Sequence, residues 1–147
     1  MKKMTLLFIV TLLSASMFAQ EAATVAKKPE DYVKFKDVAF NFGKIKQGIP
    51  VTHDFPFVNN SDKVVVIETA QASCGCTTPV WPQAPLAKGK SDKITAGFNA
   101  AAPGPFNKTI SVKLAGVDGY LTLTISGEVL SAEEFAKFEK TKAPTKG

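Results

Sequence analysis

Cys74 and Cys76 are the only cysteines in this 147-residue chain, and a single glycine, Gly75, separates them. They lie in Ser73-Cys74-Gly75-Cys76-Thr77-Thr78, the one stretch where soft, redox-active chemistry can reside. Three chemistries are open to the pair. The first is a Cys74–Cys76 disulfide, which an oxidising compartment favours. Extended residues i and i+2 sit about 6.6 Å apart at Cα, near the upper limit for a bridge. Gly75 lets the chain bend and shorten that gap. The closed loop is tiny, so it gains little of the entropic stabilisation that long loops bring, and such a bond is easily reduced. The second is a reduced pair packed as two small hydrophobes. The third is a soft-metal site in which both thiolates act with His53, the only histidine. A structural zinc site wants four ligands in two pairs, which this spacing does not supply, so no metal and no cofactor are expected. Thioredoxin-like work needs Cys-x-x-Cys at a helix N-terminus. Here the spacing is one residue shorter and the context is strand or loop.

Two other residues carry chemistry. Any Ser-His-Asp or Cys-His mechanism would have to use His53. Strand register groups it with Val51 and Phe55, and a hydrogen-bonded rim histidine is the expected role. Asp54 beside it points to the opposite face. The remaining acids form no pair suited to acid–base work, so the chain is expected not to be an enzyme. Trp81 follows Cys76 in Pro79-Val80-Trp81-Pro82-Gln83-Ala84-Pro85. It reads first as a plug on the core and second as a partner anchor. The candidate functional surface is the 71–86 segment, with Ser73, Cys74, Gly75, Cys76, Thr77 and Trp81 as its named residues.

The elements that must position these residues are short strands. One strand is expected near Val33–Asn41, ending at Phe42-Gly43. A second covers Val51–Val58, with Val51, His53, Phe55 and Phe57 on one face. A third, Lys63–Ala70, contains the β-branched run Val64-Val65-Val66-Ile67. The Pro-rich segment after the cysteines cannot be a central strand. Ile94, Ala96 and Phe98 alternate on the next strand. Phe106, Lys108, Ile110, Val112 and Leu114 share a face on the one after. Val117-Asp118-Gly119 turns the chain back into a strand with Leu121, Leu123 and Ile125 inward and Thr122 and Thr124 outward. The fold class is therefore all-β, an immunoglobulin-like antiparallel β-sandwich of about seven strands. A short helix over 131–140 follows, capped by Ser131 with Glu134, with Phe135 and Phe138 on one face.

Residues 1–19 have the form of an export signal: Lys2 and Lys3, then an apolar run from Leu6 to Leu13, then a small-residue exit. Cleavage is expected after Ala19, with Ser16 as the alternative. The apolar run is too short to span a bilayer, so the mature chain is expected to have no membrane span. Cleavage leaves 128 residues, enough for one domain, and net charge falls from +5 to +3 as Lys2 and Lys3 leave. The organisation is signal 1–19, flexible linker 20–34, sandwich 35–130, and helix with disordered tail 131–147. All 18 basic residues are lysine, scattered among acids. Nucleic-acid readers rely on arginine in clusters, so no nucleic acid is expected as partner.

Four blocks in order are Phe40-Asn41-Phe42-Gly43-Lys44-Ile45, His53-Asp54-Phe55-Pro56-Phe57-Val58-Asn59, Ala72-Ser73-Cys74-Gly75-Cys76-Thr77 and Gly104-Pro105-Phe106-Asn107-Lys108-Thr109-Ile110. Together they resemble the bacterial family catalogued as domain of unknown function 1573, over roughly residues 35–130. That family is similar to immunoglobulin-like domains related to major sperm protein, so the resemblance implies a β-sandwich and no established activity. The chain departs from it at Lys88-Gly89-Lys90, where the family often has Pro-Gly-Glu. Pro56 lies inside an expected strand, where it deletes a ladder donor and implies an open sheet edge or a bulge. The expected function is a periplasmic or secreted, non-catalytic binding or structural module. It would recognise a protein or cell-envelope partner by an edge strand or loop surface. The alternative is a redox-active or soft-metal-handling periplasmic protein using Cys74 and Cys76.

Overall fold

Alternating burial along the chain resolves into eight strands, and the computed structural model describes them within residues 27–142. The expected signal, its cleavage site, the linker up to residue 26 and the tail from residue 143 lie outside the described residues. The strands are β1 (Val33–Phe35), β2 (Ala39–Lys46), β3 (Val51–Asn59), β4 (Ile67–Ala72), β5 (Thr77–Val80), β6 (Ser91–Phe98), β7 (Gly104–Leu114) and β8 (Leu121–Leu130). Helix α1 (Ala132–Lys142) follows them. One sheet has the order β1-β3-β6-β5 and the other β2-β8-β7-β4. The core lies between them. Phe55 and Ile94 on the first sheet and Ile110, Val112, Leu123 and Ile125 on the second are completely or almost completely buried. The faces expected for β7 and β8 are the faces observed.

The sandwich is as expected, with corrections. It has eight strands, because the single strand expected over Val33–Asn41 is two strands in different sheets and because the segment after the cysteines adds an edge strand, β5, to the first sheet. Lys36 N donates to Pro56 O at 2.9 Å, the last tie to the first sheet, and Thr124 N donates to Val38 O at 2.8 Å, the first tie to the second. The second sheet is mixed rather than antiparallel, since β2 runs parallel to β8. Strand β2 continues through Gly43, where a register shift between Asn41 and Lys44 forms a bulge. Gly43 has φ +67°, and its N donates to Asn41 Oδ1 at 2.6 Å. This is the left-handed geometry glycine supplies at a bulge.

Ordered structure also starts earlier than the expected boundary at residue 35. A single 3₁₀ turn, Pro29–Asp31, buries Pro29, and Val33 already lies in the core. Val64 to Val66 do not lie in a strand. Val65 forms an isolated antiparallel bridge with Leu86, and β4 begins only at Ile67. Pro56 faces an open edge. Its carbonyl points toward β1, so its missing N–H points the same way, level with Lys36 just past the end of β1. The β3–β6 register is continuous through Pro56, so the strand is not bulged there. At the C-terminus, Ser131 caps α1 as expected: Ser131 N donates to Glu134 Oε2 at 3.0 Å, and Glu134 N donates to Ser131 Oγ at 3.3 Å.

Candidate functional site

The cysteines occupy the passage by which the chain leaves the second sheet and enters the first. At the end of β4, Ser73 N donates to Thr109 O at 2.9 Å, and Thr109 N donates to Ser73 Oγ at 3.2 Å. Three residues on, Asn99 N donates to Cys76 O at 3.1 Å and joins the chain to the first sheet. Thr77 N closes the turn on Cys74 O at 3.3 Å. Across this passage Cys74 and Cys76 form a disulfide, with their Cα atoms 5.3 Å apart. The bend at Gly75 brings them well inside the extended i to i+2 distance, as a bridge requires.

The two sulfurs have different surroundings. Cys76 packs against the hydrophobic core. Gly75 is exposed, and no atom beyond its chain neighbours lies within 4 Å of where its side chain would start. Thr77 is 3 % exposed. Its Oγ1 lies 3.7 Å from Cys74 Sγ and 3.9 Å from Cys76 Sγ.

Trp81 is half-buried and packs on the core, as the plug reading expects. Its Nε1 is buried without a hydrogen-bond partner among the described residues. His53 is not brought to the cysteines. It turns toward the opposite long side of the sandwich, where its ring stacks on Phe40 at 3.6 Å and meets Phe55 edge-on at 4.7 Å. The hydrogen-bonded rim histidine is corrected to an aromatic-packed one, because His53 Nε2 is buried without a hydrogen-bond partner among the described residues. The soft-metal alternative thereby loses its third ligand, and the disulfide takes both its thiolates. Among the described residues no three His, Cys, Asp or Glu side chains come together.

Two sheet edges flank the loop. In β4, the Ser73–Thr109 bond shows that odd residues face β7, so Ala70 and Ala72 direct their N–H and C=O groups outward. In β5, the Asn99–Cys76 bond shows that Thr78 and Val80 face β6, so Thr77 and Pro79 point outward. Pro79 has no N–H to offer, and that of Thr77 is already bonded to Cys74 O. A further signal in the sequence marks this region. Residues 71–86 contain no Asp, Glu, Lys, Arg or His, in a chain that is 21 % charged. The clear electrostatic features lie elsewhere. Lys93 Nζ and Thr95 Oγ1, each 2.6 Å from the Asp54 carboxylate, hold its pKa below the usual carboxylate range. Lys88 does the same to Asp62.

Comparison with known proteins agrees with this architecture. The family model described as "Protein of unknown function (DUF1573)" matches residues 33–129, from the start of β1 to the penultimate residue of β8. No curated protein matches the chain. Among solved structures, the ASH/PapD-like domain 7 of human CEP192 superposes with a TM-score of 0.61 at 12 % identity, covering 89 % of this chain and 99 % of that one. The Vibrio cholerae VesB protease gives 0.53 at 16 %, covering 69 % of this chain but 33 % of that one. The SrpA adhesin of Streptococcus sanguinis gives 0.52 at 10 %, covering 77 % and 62 %. At such identities the likeness is one of fold alone: an immunoglobulin-like sandwich.

Proposed function

Because the chain belongs to the DUF1573 family, described only as of unknown function, we propose its role from its own geometry. It is an exported, non-catalytic module that recognises an extended segment of a partner protein along the β4 edge, beside the Cys74–Cys76 loop. The export signal expected over residues 1–19 and the disulfide support a periplasmic or secreted setting. Among the described residues no helix is long and apolar enough to cross a membrane.

The observation that carries this reading is the contrast between β4 and the other edges. An unpaired edge invites strand addition, and native sheets blunt most of theirs. Strand β5 is blunted by Pro79. Strand β1 is three residues long, and the β3 edge beyond it carries Pro56 and the Asp54–Lys93 ion pair. Strand β2 is bulged, carries Lys44 and Lys46, and has α1 against it, with Lys44 Nζ 5.3 Å from the Phe138 ring centre. Strand β4 has a register shift between Ile67 and Thr69, with Glu68 exposed there, and beyond it keeps outward N–H and C=O groups at Ala70, which is 4 % exposed, and at half-buried Ala72. Next to it lie uncharged surface and Val80, which is 65 % exposed. Depletion of charge is the compositional mark of interface centres, and strand addition takes its affinity from main-chain bonds.

The test is selection of peptides on the purified protein from a displayed library, followed by amide NMR mapping. Selected peptides should be uncharged and strand-forming, and should perturb residues 68–72. Ala72→Pro removes an outward donor at a half-buried edge position, where proline is tolerated, and should abolish binding while leaving the fold intact. Perturbations confined to the outer sheet faces, or full binding by Ala72→Pro, would rule the reading out.

A further inference from the structure

We propose that Cys74–Cys76 is a thiol–disulfide exchange site at which the thiolate of a small thiol or a cysteine-bearing partner attacks Cys74 Sγ. This stands apart from strand recognition at β4 and rests on different observations. The first is what holds the loop. Ser73 is bonded to Thr109 and Cys76 to Asn99 through backbone groups, and neither tie needs the sulfur bridge. A bridge between residues i and i+2 removes little chain entropy. It can therefore open without releasing the sandwich, while the fold keeps the two Cα atoms within bridging distance for reclosure.

The second observation is the inequivalence of the sulfurs. Cys76 is packed on the core and Cys74 is not. Both cysteines are half-buried and flank the open space at Gly75, so it is the packing of Cys76 on the core that sets the direction of attack. The third is Thr77. Among the described residues, its buried hydroxyl has only the two sulfurs within hydrogen-bond reach. Disulfide sulfur is a weak acceptor, so the arrangement does little for the oxidised state. A thiolate is charged and accepts strongly. The hydroxyl is placed to donate to the thiolate that departs.

The chemistry balances without a cofactor. The incoming thiolate forms a bond to Cys74 Sγ, the Cys74–Cys76 bond breaks, and its electron pair leaves on Cys76 Sγ, which receives the Thr77 O–H hydrogen bond. Cys76 thiolate can then attack Cys74 Sγ and expel the thiol. Alternatively, a second thiolate attacks the sulfur of the first thiol in the mixed disulfide. This yields the oxidised thiol pair and two protein thiols, so two electrons pass from thiol to protein.

The experiment uses the oxidised mature chain in glutathione buffers, with thiols trapped by alkylation and counted by mass. The bridge should open in reduced glutathione while the far-ultraviolet spectrum stays that of the sandwich. Cys76→Ser, which retains Cys74, should form a mixed disulfide with oxidised glutathione on the order of tenfold faster than Cys74→Ser, which retains the packed sulfur. Thr77→Val should slow opening by about tenfold, the usual range for a hydrogen bond to a charged group, and Thr77→Ser should restore it. Opening only on unfolding, equal capture rates for the two single-cysteine variants, or an unchanged rate in Thr77→Val would overturn the assignment.

Discussion

At the end of β3 the Asn59 side chain is fully buried, and every polar group on it is used. Its Nδ2 donates to Lys63 O at 2.7 Å and Leu86 O at 2.8 Å, and its Oδ1 accepts from Ser61 N at 2.9 Å and Ser61 Oγ at 2.8 Å. It thus binds its own turn to the segment that bridges back to Val65. Asn59→Ala should lower stability by about 1–3 kcal/mol, because four hydrogen bonds at a buried position are lost together. Asn59→Asp should be worse, since a carboxylate would then face two carbonyl oxygens. Urea midpoints at unchanged slope measure both. In the sequence Asn59 reads only as one residue of a polar turn, because Leu86 stands 27 positions away. The cysteine pair was legible by type and spacing alone. The placement of Thr77 under both sulfurs was not, since it depends on where the loop bends.

The lateral fit between β2 and β8 depends on the absence of a side chain. A Cβ at Gly127 would meet Gly43 O and the Phe106 ring at 2.8 Å. Backbone cannot swing aside as a side chain can, so Gly127→Ala should cost about 1–3 kcal/mol, with faster amide exchange concentrated in β2. Helix α1 makes a separate, pH-dependent contribution. The Ser131 O–H and N–H bonds hold the Glu134 pKa below its ordinary value. The stabilisation is therefore complete above the unfolded carboxylate pKa and is lost as pH falls through the lower, folded one. The helical signal of α1 should fade in acid over that window, and Glu134→Gln should flatten the change. The helix was legible because its cap is local, Ser131 to Glu134. The split of Val33–Asn41 into two strands was not, because unbroken alternation fits one long strand equally well. What divides it is pairing with Pro56 on one side and Thr124 on the other.

At the scale of the whole molecule, stability resides in the apolar layer between the sheets rather than in the bridge. A loop of three residues adds about 1.5 kcal/mol in the chain-entropy view. The Cys74→Ser, Cys76→Ser double variant should stay folded and lose about that much, read from thermal and urea unfolding. A larger loss would place the bridge among the supports of the fold. The two-layer architecture was legible because alternation at Ile94, Ile110 and Leu123 needs no knowledge of partners. The parallel pairing of β2 with β8 was hidden, because nothing local distinguishes a parallel neighbour from an antiparallel one.

That pairing has a consequence for how the protein is made. Strand β8, the last of the eight described strands in chain order, lies in the middle of its sheet and is the neighbour of β2 among the described residues. A chain still short of Leu121 has a gap where two strands should meet, and cannot close the second layer. Completion of this layer must wait until β8 has been made, so the sheet stays open through synthesis of the strands before it.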